Sequence, residues 1–127
     1  MPSERYERGL ARMAEVDKEG CQRLVEVLKT IAPDFANYVV EFAFGDILSR
    51  PLLDLKTREL LIVAGLTAMG TAAPQLKFHI KAARNVGSTR EEIVETIMQM
   101  SVYAGFPAAL NGLYAAKEIF DAEQTKS

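Results

Sequence analysis

The stretch LLDLKTRELLIVAGLTAMGTAAPQLKFHIKAAR, residues 52–84, decides how this chain folds and where a reactive site would lie. Its apolar residues recur at helical spacing and are interrupted once, at Gly70–Pro74, so the stretch predicts two successive α-helices. It also holds His79, the single histidine of the chain, and Glu59, an acid among aliphatic residues. These two residues are therefore the first candidates for chemistry.

The same helical period extends over the rest of the chain, and no sustained alternation of apolar and polar residues indicates a strand. The pattern predicts an all-α fold of six to seven helices. Proline, glycine and capping residues set the expected boundaries, and residues 123–127 are expected to fray. The predicted helices cover residues 3–16, 21–31, 34–48, 55–69, 75–86, 89–104 and 107–122, and the third should bury Phe35, Tyr38, Val39 and Phe42.

Length and composition favour one soluble domain over residues 1–127, with no repeat or linker. The chain is 49% hydrophobic and 25% charged, with a net charge of −2. That balance does not indicate a surface of clustered Lys and Arg residues of the kind that binds nucleic acid. The charged N-terminus lacks the apolar core of a signal peptide, and the longest apolar run is shorter than the roughly 20 residues of a membrane span. We therefore expect a cytoplasmic protein with neither nucleic acid nor membrane as a partner.

Cysteine and histidine counts limit the redox and metal chemistry that we expect. Cys21 stands alone, so an intrachain disulfide, a CxxC pair or a cysteine-based zinc site cannot form. With one histidine, a metal site would need carboxylates or several subunits. We expect no metal and no cofactor.

Two segments lack a broad polar face, namely residues 60–69 and 93–102. A helix that is apolar all round is expected to be buried. A chain of this size has few other helices to cover both segments, so the pattern predicts a homo-oligomer.

On a helical wheel at about 100° per residue, Glu59 falls among aliphatic positions such as Leu55, Val63 and Leu66. Burial there favours the protonated form of a carboxyl group, which is the form that a general acid needs. The alternative is structural: Glu59 reaches the surface, or forms a salt bridge within an oligomer. Spacing alone leaves both interpretations open.

His79 lies opposite a basic stripe formed by Lys77, Lys81 and Arg84, which is either a solvated face or an attraction for anions. The neighbours of His79 on its own side are apolar and include Ala83. A lone histidine there is either a hydrogen-bonded core residue or a catalyst. Tyr103, before the Gly-Phe-Pro break, is either a hydrogen-bond donor to a buried site or an aromatic core residue.

Two segments of the chain resemble the carboxymuconolactone decarboxylase family of the alkylhydroperoxidase D-like superfamily. They are FGDILSRPLLDLKTRELLIVAGL and LKFHIKAARNVGSTREEIVETIMQMSVYAGFPAAL, so that the match covers roughly residues 40–120. The resemblance implies a compact all-α fold and a homo-oligomer, commonly a hexamer. The activity that names the family converts γ-carboxymuconolactone to an enol-lactone with loss of CO₂ and without a cofactor.

Peroxidase members of the superfamily use a glutamate, a CxxC pair and a histidine as a proton relay. On this chain, the resemblance places the glutamate at Glu59, with an offset of one residue, and the histidine at His79. The two cysteine positions fall at Ala72 and Gln75. Without either thiol, the peroxidase reaction is excluded.

The function expected from this resemblance is decarboxylation of a small carboxylated lactone in aromatic-compound catabolism. His79 and Glu59 would move the proton, and Arg58, Arg84 or an arginine of another subunit would hold a substrate carboxylate. Two other hypotheses are a non-enzymatic oligomeric ligand-binding protein and a cofactor-free isomerase or hydrolase with the same residue pair.

Overall fold

Helices form all of the regular structure in residues 2–125, the part of the chain that the computed structural model describes, and the predicted all-α class is confirmed. They divide into two compact units, residues 1–54 and residues 55–127. The assignment of the whole chain to one domain stays a prediction. The elements in chain order are α1 (Glu4–Ile31), α2 (Pro33–Tyr38), a π-helix π1 (Val39–Ile47), α3 (Leu55–Met69), α4 (Ala73–Asn85), α5 (Arg90–Ala104) and α6 (Phe106–Thr125).

In the first unit, the two helices predicted for residues 3–31 are one element with a kink. Asp17 leaves the helical conformation at φ −168° and ψ 87°. Its carboxylate accepts a hydrogen bond from the backbone N–H of Gly20 at 3.1 Å, as an N-cap does. The predicted interruption between residues 16 and 21 therefore coincides with this kink, where the aspartate caps the second half of the element.

The third predicted helix differs from its expected form. After α2, the chain continues as π1, and the N–H of Leu48 bonds to the carbonyl of Ala43, five residues earlier. The predicted apolar face is wrong: Phe35, Tyr38 and Phe42 are 54%, 63% and 58% exposed. Phe42 lies in π1, where a wheel drawn at α-helical spacing misplaces side chains because each residue advances less around the axis. Phe35 and Tyr38 belong to α2, so this reason does not apply to them. The residues buried there are Ala36, Val40, Phe44 and Gly45.

The second unit is a bundle of α3 to α6 around one apolar core. Thr89 and Glu92 form a capping box at the start of α5, and Gly87 before it has φ +103°, which favours glycine. The pKa of the Glu92 carboxyl is held below its ordinary value, first by the hydrogen bond from the Thr89 backbone N–H and second by the hydrogen bond from Lys56. The core residues are Val63, Leu76, Ile80, Ala83, Ile93, Ile97, Ala109, Ala115 and Ala116.

Within the single chain, several apolar side chains of α3 and α5 are exposed. Leu61 on α3 is 55% exposed, and Val102 and Tyr103 on α5 are 69% and 89% exposed. The core of the bundle covers one side of each helix and leaves the other uncovered. Among the described residues, no helix combines the length and apolar character that crossing a bilayer requires.

Candidate active site

Glu59 and His79 meet across the interface of α3 and α4. Glu59 lies one turn before the core residue Val63 and has no exposed surface. Its Oε1 is 2.8 Å from Nδ1 of His79, a hydrogen-bond distance. The surface position considered for Glu59 is therefore wrong, and its partner lies in the same chain.

The remaining polar atoms of this pair lack partners among the described residues. Oε2 of Glu59 is buried without a hydrogen bond. The side chain of His79 is 18% exposed, and its one polar contact is through Nδ1. The edge of the Phe78 ring packs against the imidazole at 5.1 Å between centroids. The hydrogen bond to Glu59 thus occupies Nδ1, and Nε2 can form a hydrogen bond with another molecule.

This arrangement suits proton transfer. A carboxyl group that is hydrogen-bonded to Nδ1 orients the ring, and the two groups share a proton in this hydrogen bond. The second ring nitrogen then accepts or donates a proton in a plausible reaction. The pair therefore has the chemistry of a general acid–base centre.

The arginines predicted to hold a substrate carboxylate differ in their surroundings. Arg58 is partly exposed and precedes Glu59, so its side chain leaves α3 about 100° away from that of Glu59. The guanidinium of Arg84 is bound instead by Glu123, with Nε 3.0 Å from Oε1. Their roles in substrate binding stay predictions.

Tyr103 is the third residue predicted to bind substrate. It lies at the end of α5 and is 89% exposed, so the interpretation as an aromatic core residue is wrong. The hydrogen bond that its hydroxyl was predicted to donate would have to reach a molecule outside this chain. That role also stays a prediction.

The expected fraying after residue 122 is wrong over the described part of the terminus. Helix α6 extends to Thr125, and Glu123 receives hydrogen bonds from Arg84 and from Arg90 at 3.0 Å. These contacts, that with Arg84 foremost, hold the pKa of Glu123 below its ordinary value. The two arginines flank the turn between α4 and α5. Two cations so close in sequence were the available signal that an acidic partner comes from elsewhere in the chain. Residues 126 and 127 lie outside the described residues.

Comparison with known proteins confirms the family resemblance of this chain. The sequence model of the carboxymuconolactone decarboxylase family matches residues 33–118. The chain belongs to this family. The chain is also 37% identical over 118 residues to the 4-carboxymuconolactone decarboxylase of Acinetobacter baylyi, covering 92% of this chain and 87% of that protein.

Two further relatives match shorter stretches of the chain. An uncharacterized 15.0 kDa protein of Paracoccus denitrificans is 35% identical over 100 residues. That match covers 78% of this chain and 75% of the Paracoccus protein. The nitrosuccinic acid decarboxylase of Metarhizium robertsii is 34% identical over 80 residues. That match covers 63% of this chain and 55% of the Metarhizium protein. Two relatives of this chain are thus named as decarboxylases of different acids.

The positions that the resemblance assigns to the peroxidase thiols lie at the start of α4. Ala72 precedes that helix and Gln75 is in its first turn, whereas the single cysteine, Cys21, is buried in α1. Neither side chain at the start of α4 can form a thiolate or a disulfide. In this member of the carboxymuconolactone decarboxylase family, Glu59 and His79 are in contact and no thiol lies at these two positions.

Proposed function

We propose that the chain is a cofactor-free decarboxylase of a small carboxylated lactone resembling γ-carboxymuconolactone, acting in aromatic-compound catabolism. The observation that carries this proposal is the contact between the buried Glu59 and the partly exposed His79. Membership of the family and the names of two relatives support the choice of decarboxylation.

The reaction requires one bond to break and one to form. The bond between the ring carbon and the carboxylate carbon breaks, and its electron pair enters the unsaturated lactone while CO₂ leaves. His79 donates a proton from Nε2 to a ring carbon, and a new C–H bond forms. One proton from solvent restores the Glu59–His79 pair in each turnover. No electrons are gained or lost overall, so the step needs no redox partner.

Glu59 assists by holding the imidazole ring through its hydrogen bond to Nδ1 during the transfer. After the transfer from Nε2, the ring is still held by Glu59. The histidine is thus the proton donor, and the glutamate orients it.

The substrate carboxylate that is retained needs a cation. Arg58 is the closest in sequence to the pair, and an arginine of another subunit is the alternative. Exposed apolar residues on α5 and α6 support assembly into a homo-oligomer, with the hexamer as the proposed form. In such an assembly, a neighbouring subunit would close the side on which His79 is exposed.

Replacement of His79 by alanine tests the proposed function. We expect release of CO₂ from γ-carboxymuconolactone to fall by about 10²–10⁴-fold, the usual effect of removing a general acid. Circular dichroism should show that the variant is folded, since the side chain is partly exposed. Lys77→Ala on the same helix is the matched control and should keep normal turnover, because Lys77 pairs with Glu118 on the surface.

Three outcomes would contradict the assignment. Full CO₂ release by His79→Ala would remove the histidine from the mechanism. Binding of the lactone without turnover by the unchanged protein would instead support the ligand-binding hypothesis. Formation of a product that retains the carboxylate would support an isomerase or a hydrolase.

A further inference from the structure

The exposed part of His79 is bordered on α4 by Gln75 and Phe78. Gln75 is exposed and Phe78 is half-buried, whereas the other α4 residues one, three or four positions from His79 are at most 3% exposed. These buried neighbours are Leu76, Ile80, Ala82 and Ala83. A molecule that approaches the imidazole along α4 therefore passes Gln75.

Helical geometry places the side chains of Gln75 and His79 on the same face of α4. Gln75 lies one turn before His79, so the two side chains leave the helix about 40° apart. Side chains of an α-helix tilt toward its N-terminus, and the ring of His79 therefore leans toward the turn that holds Gln75. The two polar groups can contact one small molecule together.

The side-chain amide of Gln75 is available to such a molecule. It forms no hydrogen bond among residues 2–125. An amide offers two N–H donors without carrying a charge. Nδ1 of His79 is bonded to Glu59 at 2.8 Å, so a molecule held by Gln75 would meet the other ring nitrogen, Nε2.

The proposed decarboxylation creates negative charge at one definite atom of the substrate. When the bond to the departing carboxylate breaks, its electron pair passes through the C=C bond of the lactone to the carbonyl oxygen, and CO₂ leaves. The enolate lasts until the pair returns to a ring carbon and forms a C–H bond with the proton from Nε2 of His79. A hydrogen bond to the carbonyl oxygen is stronger in the transition state than in the substrate, and it therefore accelerates the reaction.

A neutral donor suits this task better than a cation does. The departing carboxylate loses its charge as it becomes CO₂, and a lysine or arginine beside it would stabilise the charged substrate instead. Gln75 and Phe78 are both uncharged. Phe78 also provides an aromatic surface for a flat unsaturated ring.

We propose that Gln75 binds the lactone carbonyl oxygen and stabilises the enolate that forms during decarboxylation. The side-chain NH₂ group donates the hydrogen bond, and the lactone ring lies against Phe78 with a ring carbon at Nε2 of His79. This inference rests on the proposed decarboxylation and narrows its substrate class. The lactone must carry a C=C bond that links the carbonyl group to the carbon bearing the carboxylate, since a saturated ring cannot pass the electron pair to the carbonyl oxygen.

Steady-state kinetics on γ-carboxymuconolactone test this role. We expect Gln75→Ala to lower kcat by about 10²-fold, the usual effect of removing one donor to a developing oxyanion, and to raise KM by less than about tenfold. Gln75→Glu keeps the length of the side chain but presents a carboxylate to the enolate, and it should lower kcat at least as far. Gln99→Ala removes an exposed glutamine from α5 and is the matched control, which should keep normal kcat.

Lactone binding can be followed without turnover, because His79 is the only histidine of the chain. In isotope-labelled protein, the imidazole NMR signals therefore report this one site. The probe is γ-crotonolactone, an unsaturated lactone that has no carboxylate to lose. We expect it to shift the ring signals, and Gln75→Ala should need about three- to tenfold more lactone for the same shift, the effect of losing one hydrogen bond. Gln99→Ala should respond as the unchanged protein does.

The two measurements separate this inference from the proposed decarboxylation. Normal kcat in Gln75→Ala, with CO₂ release by the unchanged protein, would overturn the role of Gln75 and leave the decarboxylation standing. An equal loss of kcat in Gln75→Ala and Gln99→Ala would also overturn it. If the unchanged protein releases no CO₂ but binds the lactone through Gln75, the decarboxylation fails and the contact with the carbonyl stands. Lactone binding that is the same in Gln75→Ala would overturn that contact. Circular dichroism should show that the Gln75 variants are folded, since the side chain is exposed.

Discussion

At the scale of the residue, Glu59 is placed where a carboxyl group is costly. It has no exposed surface, and of its two oxygens Oε1 bonds to His79 whereas Oε2 has no partner among the described residues. Burial of a polar atom without a hydrogen bond costs about 1–3 kcal/mol. An arrangement that lowers stability and positions a histidine is typical of an active site, where the cost in stability is retained because the chemistry requires it.

Replacing Glu59 by methionine should therefore stabilise the protein while it removes activity. Methionine is unbranched and fills the space of the glutamate with apolar atoms. We expect the free energy of unfolding to rise by about 1 kcal/mol, because the unpaired buried Oε2 is removed while His79 is partly exposed to solvent. Urea denaturation followed by circular dichroism measures the change.

Glu95→Met provides the control for this substitution. Glu95 is an exposed acid on α5, and its replacement should change the free energy of unfolding by less than about 0.5 kcal/mol. Loss of more than about 1 kcal/mol in Glu59→Met alone would show that the pair is retained for stability. That result would weaken the functional interpretation of Glu59.

The positions of Glu59 and His79 on the inward sides of their helices were predictable from periodicity, because helical spacing fixes the direction of a side chain. Their contact was not predictable from spacing alone, since it depends on how α3 and α4 pack. The pairing of Arg84 with Glu123 was missed for the same reason. Their 39-residue separation in sequence carries no periodic signal.

At the scale of the element, the interface of α1 with π1 requires glycine. A Cβ atom at Gly9 would lie 2.0 Å from the carbonyl oxygen of Val40, and one at Gly45 would lie 2.4 Å from that of Arg5. Arg8 donates a hydrogen bond to the Gly45 carbonyl at 2.6 Å, which the close approach of the two elements allows. Two glycines on opposite elements thus let the backbones pack directly together.

Gly9→Ala should destabilise the protein strongly. The added methyl group would collide with backbone atoms, which cannot move aside as a flexible side chain does. We expect the free energy of unfolding to fall by about 3 kcal/mol, at the upper end of the range for overpacked sites. Thermal and urea denaturation measure this loss.

Gly65→Ala is the matched substitution in an exposed helix interior. A Cβ atom at Gly65 meets no other atom within 4 Å. Alanine there should raise the free energy of unfolding by about 0.5–1 kcal/mol, since it favours the helix. Equal effects of the two substitutions would contradict the close approach of α1 and π1.

The boundaries of helices were predicted best where local chemistry sets them. Residues 55–69 form α3 as expected, and Thr89 with Glu92 opens α5, because proline and capping residues act within a few positions. In residues 34–48, Phe42 was placed wrongly because the sequence does not signal a π-helix. Phe35 and Tyr38 were placed wrongly in the α-helix before it, because the side that packs depends on tertiary contacts that spacing alone does not give.

At the scale of the whole molecule, the exposed apolar surface of α5 and α6 needs an explanation. Phe106 is 73% exposed and Val102 is 69% exposed. Phe106 also lines an apolar groove of about 260 Å³ together with Met98 and Leu110. Large apolar surfaces of this kind usually mark interaction sites. The apolar pattern of residues 93–102, from which a homo-oligomer was predicted, coincides with part of this surface, and self-association stays a prediction.

Phe106→Glu should separate the proposed oligomer into single chains. The substitution places a charge in the apolar groove, where burial against another subunit would be costly. It should not unfold α6, because Phe106 is the first residue of that helix and an acid there interacts favourably with the positive helix end. Sedimentation velocity should show a multiple of the single-chain mass for the unchanged protein and the single-chain mass for the variant.

Thr125→Glu adds the same charge at the exposed end of α6 and should leave the oligomer intact. If the unchanged protein sediments as a single chain, or if Phe106→Glu keeps the mass of the oligomer, the groove is not the interface. Decarboxylase activity measured on the same samples links the two proposals. If a neighbouring subunit closes the site around His79, Phe106→Glu should lose activity although Glu59 and His79 are both present, whereas retained activity would place the whole site within one chain.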